Sequence, residues 1–225
     1  MSPRREHQSL VCRAAVCLAA LSGCAHALAA TVEARVVDER GRGIGQVAVY
    51  VTPKGSAPVA DAPRAQAIMD QHNNEFVPHM LVVQAGTQVL FPNSDVVSHH
   101  VYSFSPTKTF ELGLYKGNAH PPLQFDDPGV VVLGCNIHDS MLGYILVVDT
   151  PYFALTDESG AASIDGLPAG NYTVEVWTPR ARPSGLPEPR LLSLPDGASS
   201  LEVQVTGRLA PEHDQEGGSL SWKRY

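Results

Sequence analysis

Beyond residue 30, apolar and polar positions alternate in short runs, and no window sustains the three-and-four spacing of an amphipathic helix. Residues 31–37 alternate, reach the turn Asp38-Glu39-Arg40-Gly41-Arg42-Gly43, and lead to a second strand over 46–51, which predicts a hairpin-like unit. Residues 53–64 are rich in Pro, Ala and Gly and read as a linker. The pattern then restarts: 80–83 and 88–91 read as strands flanking the turn 84–87, Pro92-Asn93-Ser94-Asp95 as a loop, and 99–104 as the next strand. Residues 105–129 carry the breakers Pro106, Gly113, Gly117 and Pro128-Gly129 and read as looser chain. Two apolar runs follow, Val130-Val131-Val132-Leu133 and Tyr144-Ile145-Leu146-Val147-Val148. Turns at 156–160 and 167–170 then separate strands over 162–164, 171–177, 190–194 and 201–205. The polar stretch 208–225 predicts a disordered tail.

Composition agrees with an all-β chain. The 18 Pro and 19 Gly suit many short strands and turns. Residues 1–29 read as a signal peptide: Arg4 and Arg5 make a basic start, residues 14–21 an apolar core, and Ala27-Leu28-Ala29 a small-residue cleavage site. That core is shorter than the roughly 20 residues a membrane span needs. Export to the periplasm is therefore the expectation. Leu21-Ser22-Gly23-Cys24 also resembles a bacterial lipobox, which leaves a lipid anchor on Cys24 open.

Cleavage after Ala29 removes Cys12, Cys17 and Cys24 and leaves Cys135 alone, so an oxidising compartment offers it no internal disulfide partner. Three Arg and one Glu leave with the signal, so 13 basic and 22 acidic residues remain, a net charge near −9. That balance argues against nucleic acid as a partner.

Between the two apolar runs lies Gly134-Cys135-Asn136-Ile137-His138-Asp139-Ser140-Met141. A thiolate, an imidazole and a thioether at C-x2-H-x2-M spacing on one short turn are three of the donors of a single-copper site, a His2Cys plane with a weak axial Met. The second imidazole must come from elsewhere, and His99-His100 is the candidate pair. Alternation puts His99 on one strand face with Val101 and Ser103, and His100 on the other with Tyr102 and Phe104. Burial pattern alone admits either.

These motifs resemble the cupredoxins, and among them amicyanin- and plastocyanin-like proteins, over roughly residues 65–150. The segment from Val82 to Asp95 is similar to the strand pair that precedes that family's first histidine ligand. Register with the family gives the ligand position to His99 and puts His100 where the family commonly has Asn. The resemblance implies a Greek-key sandwich and a copper ion held by His99, Cys135, His138 and Met141, with Asn93, His100 and amides near Asn136 as a supporting shell. Residues 110–115 and the Cys135 turn also resemble methylamine utilization proteins. His72, His79 and His120 are expected to be solvated, Met69 and Met80 to pack, and Glu111 to be a weak rival oxygen ligand.

The flanking segments resemble a carboxypeptidase-regulatory-like, prealbumin-like β-sandwich, through Val36-Val37-Asp38-Glu39-Arg40-Gly41-Arg42-Gly43 and Leu167-Pro168-Ala169-Gly170-Asn171-Tyr172. Segments 30–57 and 152–207 would then form one sandwich into which the copper region is inserted. The alternative joins the first hairpin to the copper region and leaves a separate C-terminal module.

The function these resemblances imply is that of an exported type 1 (blue) copper protein carrying single electrons, rather than an enzyme. Its partner would be a redox protein such as a dehydrogenase or a c-type cytochrome. A periplasmic copper carrier is the alternative.

Overall fold

The computed structural model describes residues 30–55, 65–195 and 197–211. The expected signal peptide, residues 56–64 of the linker and residues 212–225 of the tail lie outside the described residues. At the start of the expected tail, the Ala210 amide donates to the Arg180 carbonyl and the Arg180 guanidinium donates back to the Ala210 carbonyl.

The described chain is all-β, with one short 3-10 turn at Pro183–Gly185. Strand β1 (Ala30–Val37) buries alternate residues, Ala30, Val32, Ala34 and Val36, as its sequence pattern requires. Its neighbours come from the far end of the chain: β14 (Ala161–Leu167) antiparallel and β17 (Ala198–Gln204) parallel. Strand β2 (Ala48–Pro53) lies in another sheet, between β13 (Phe153–Leu155) and β15 (Gly170–Trp177), with β16 (Arg190–Leu194) outside β15. The expected 31–51 hairpin is therefore corrected. The turn forms, with Asp38 accepting from the Arg40 and Arg42 amides, but both edges of β1 are already occupied and the chain crosses to the second sheet. Val32, Val36, Val49, Val51, Ile164, Leu167, Val174 and Val203 fill the space between these sheets.

Two glycines close that arrangement. A Cβ on Gly43 would run into the Ser159 carbonyl, and one on Gly160, at φ +82°, into the Val36 carbonyl. The two turns can touch only because neither residue has a side chain.

Residues 65–148 build their own sheets. β3 (Gln66–Ile68), β7 (Thr87–Leu90) and β10 (Leu123–Phe125) form one of them. The other runs in the order β6 (Met80–Gln84), β12 (Leu142–Val148), β11 (Gly129–Cys135), β8 (His99–Ser105), β9 (Lys108–Tyr115). A small ribbon of β4 (Asp70–His72) and β5 (Glu75–Val77) stands beside them. Val89, Phe91 and Phe125 from one side meet Val101, Leu112, Val131, Leu133, Ile145 and Val147 from the other. The looser reading of 105–129 is corrected by β9 and β10. β9 is an edge strand whose outer residues stay exposed, so its pattern is broken by Glu111, Gly113 and Leu114 rather than cleanly alternating. Met80, Leu146 and Val148 pack on Ala48, and Tyr144 meets the Trp177 ring at 5.8 Å, which joins the central sheet to the β2–β15 sheet.

Candidate metal centre

Strand register decides what gathers at one end of the five-stranded sheet. Cys135, the last residue of β11, lies opposite Val101 of β8. Alternation then turns Cys135, Val101 and His99 to one face and His100 and Tyr102 to the other. Gly134 is needed here, because a Cβ would sit 2.7 Å from Cζ of Tyr102, whose ring covers the strand from outside. The turn after Cys135 is closed by two backbone bonds, the Asn136 amide to the His100 carbonyl and the Met141 amide to the His138 carbonyl. Those bonds bring His138 back over the strand end.

The result is a triangle of donor atoms. Nδ1 of His99 and Nδ1 of His138 are 3.1 Å apart, and Sγ of Cys135 lies 3.7 Å from the first and 3.8 Å from the second. A triangle with those edges has a point about 2.1 Å from every corner, within the roughly 2.0–2.3 Å of metal bonds to imidazole nitrogen and thiolate sulfur. Among the described residues this is the group of three His, Cys or acidic side chains arranged to hold a metal ion. The donor set, two imidazoles and one thiolate, fits copper in a trigonal plane. His99 is fully buried and Cys135 nearly so, while His138 is half-buried and reaches the surface. Met141 is 2% exposed and shares the apolar cluster of Cys135, so its thioether is inside the fold rather than in solvent.

The supporting residues differ from expectation in part. Asn93 braces the loop before β8: its Nδ2 donates to the Val97 and Tyr115 carbonyls and its Oδ1 accepts from the Asp95 amide. His100 turns away from the centre, with Nε2 2.8 Å from Glu111 on the outer face of the sheet. That pair stands apart from the donor triangle. His100 still supports the turn, through its backbone carbonyl. His72 is exposed, His120 packs edge-on against Tyr115 at 4.6 Å, and His79 packs edge-on against Tyr144 at 5.4 Å.

Asp95 is the residue sequence reasoning passed over. Its Oδ2 lies 3.0 Å from Nε2 of His99, on the ring edge opposite the donor atom. Burial alone works to raise this carboxyl. The hydrogen bonds from the Asn74 amide, the His99 ring and the Val96 amide outweigh it and hold the group down to about 2. The available signal was its residue type: a carboxylate in the loop entering a ligand-bearing strand suits the second nitrogen of that ligand's ring.

Comparison with known proteins finds likenesses to solved structures only. No family model matches the chain, and no curated protein does. Among solved structures, a purple cupredoxin from Nitrosopumilus maritimus is 24% identical, with a TM-score of 0.32, over 37% of this chain and 99% of its own. A copper-containing nitrite reductase from Thermus scotoductus SA-01 is 26% identical, with a TM-score of 0.35, over 37% of this chain and 22% of its own. A reduced amicyanin variant is 20% identical, with a TM-score of 0.34, over 44% of this chain and 99% of its own. None of the three spans as much as half of this chain, so the prealbumin-like part of the sequence resemblance rests on its motifs alone.

Proposed function

We propose that this chain is an exported copper protein that accepts and passes single electrons through one ion held by His99, Cys135, His138 and Met141. The observation that carries the proposal is the triangle of two imidazole nitrogens and one cysteine sulfur with a point at metal-bond distance from all three. Copper in such a set supplies a one-electron couple between its cupric and cuprous states. The protein's part is to hold the donors still. Cys135 is fixed by the β11–β8 ladder, His99 by its pairing with Tyr115 of β9, and His138 by a turn only six residues long between β11 and β12. A site that does not rearrange between its two states exchanges electrons with less reorganisation.

An electron carrier is favoured over a copper carrier by burial. His99 and Cys135 are out of reach of a transferring ligand, with 0% and 3% exposure. Half-buried His138 offers the path by which an electron enters and leaves, to a partner such as a dehydrogenase or a c-type cytochrome. Export follows from the signal-like first 29 residues. Among the described residues no helix is long and apolar enough to cross a membrane.

The test is the visible spectrum of the mature chain after cupric ion is added. A strong thiolate-to-copper band is expected. Colourless protein whose Cys135 is still freely alkylated would overturn the reading. Rapid surrender of metal to a cuprous chelator would instead favour the copper carrier.

A further inference from the structure

We propose that Asp95 is the positioning residue for His99: its buried carboxylate holds the ring's Nε2–H, fixes the tautomer that presents Nδ1 to the metal, and tilts the site toward the cupric state. The geometry leaves the carboxylate little freedom. Oδ2 takes the Asn74 amide at 2.8 Å as well as His99 Nε2 at 3.0 Å, Oδ1 takes the Val96 amide at 2.6 Å, and the Asp95 amide donates to Asn93 at 2.9 Å. An ionised carboxylate has acceptors and no hydrogen to give. Both of its oxygens already accept from backbone N–H groups, so it meets His99 as an acceptor and the hydrogen between them sits on Nε2, which in the neutral ring leaves the Nδ1 lone pair to the centre. The side chains of His99 and Asp95 are 0% and 5% exposed, so water does not compete for either.

The clamp comes from outside the ligand turn. Asn74 stands in the tight β4–β5 turn, where Asn73 and Asn74 both adopt left-handed backbone, at φ 53° and 61°. That turn aims the Asn74 amide at Asp95. The small ribbon thus has a role at the centre although none of its side chains joins the donor triangle.

A fixed negative charge one hydrogen bond from a ligand favours the more positive oxidation state. This electronic part rests on the copper reading, whereas the tautomer does not. Replacing such an outer partner commonly costs about 10–100-fold in metal affinity. Asp95→Asn keeps an acceptor and removes the charge, so it is expected to weaken cupric binding about tenfold more than cuprous binding. A tenfold change in that ratio raises the potential by about 59 mV.

The first experiment uses metal-free full chain carrying 15N-labelled histidine, with the His99 signals assigned through His99→Gln. A single tautomer with hydrogen on Nε2, slow to exchange, is expected in the wild type. Hydrogen on Nδ1, or a fast mixture of tautomers, would overturn the lock whatever copper does and whether or not an Asp95 variant folds. Asp95→Ala should release the slow exchange. The second experiment measures cupric and cuprous affinities of Asp95→Asn by competition, and an unchanged ratio would sink the electrostatic half. If the wild type holds the expected tautomer but takes up no copper, the lock stands, and the copper reading falls together with the electronic half.

Discussion

The sheets on either side of the chain's middle and the sheets within it differ in the polar groups they bury. In the flanking sheets, Thr150 donates to the Val51 carbonyl, and Thr156 donates to the Ile44 carbonyl while accepting from the Val47 amide. These are neutral hydroxyls that stitch loops to strands far away in sequence. The central sheets bury hydroxyls too, Thr87 and Ser103, but they add Gln71, Asn93, Asp95 and His99. Burying groups that can carry charge is costly unless each is paired. Here the two that can carry charge, Asp95 and His99, are paired with each other, and the pair stands behind one corner of the donor triangle. A scaffold needs only its backbone satisfied, whereas a site keeps titratable groups where packing alone would place apolar ones.

The largest effect should come from Cys135→Ser. Loss of the thiolate is expected to abolish the visible band outright. The flanking sheets, whose core lies elsewhere, should keep their melting transition. A band that survives the substitution would remove the thiolate from the site and the contrast with it. The mirror experiment is Leu167→Ala. Leu167 is fully buried between the flanking sheets, and truncation of such a side chain costs about 2–5 kcal/mol. Calorimetry should show that loss, while the spectrum of the folded copper form stays as in the wild type. A change in band position would mean that the two cores are coupled through Met80, Leu146 and Trp177.

A smaller effect is expected from acid. In the flanking sheets, Asp157 is held below the ordinary carboxylate range by the Ser159 hydroxyl and the Ala161 amide, which with the Ser159 and Gly160 amides outweigh the opposing effect of burial. A carboxyl lowered on folding contributes stability that is fully present above its unfolded value of 3.8 and is lost as pH falls through the lower folded value. Asp157→Asn should therefore flatten the fall of the melting temperature as pH drops below about 4. The group is solvent-exposed, so the shift is small. An unchanged pH profile would show that the turn's bonds do not depend on the charge.

How much of this was legible follows the same division. Strands whose two faces differ could be read: β1, β8, β11 and β15 alternate or run apolar because one or both faces are buried. β9 was not read, since an edge strand needs only one bonded neighbour and tolerates Glu111 and Gly113. Nor was the pairing of β1 with β14 and β17, because alternation marks a buried face without naming the strand beside it. At the centre, Cys135, His138 and Met141 sit close in sequence and their spacing was visible. His99 lies 36 residues from Cys135 and needed register to be chosen. Asp95 was missed because its effect passes through another residue, and a lone acidic residue in a loop reads as solvated.

The smallest predicted effect separates the two neighbouring histidines. His100 pairs with Glu111, whose side chain is 70% exposed, on the face of β8 that points away from the donors. Exposed pairs of this kind contribute about 0–1 kcal/mol. The contact through which residue 100 serves the ligand turn is its carbonyl, which accepts from the Asn136 amide and survives any change of side chain. His100→Ala should therefore leave the position and intensity of the visible band unchanged and lower the melting temperature by at most a few degrees. His99→Ala under the same conditions should lose the band's normal form. If instead His100→Ala bleached the protein and His99→Ala did not, β8 would be shifted by one residue, and every side chain assigned to its inner face would have to move to the outer one.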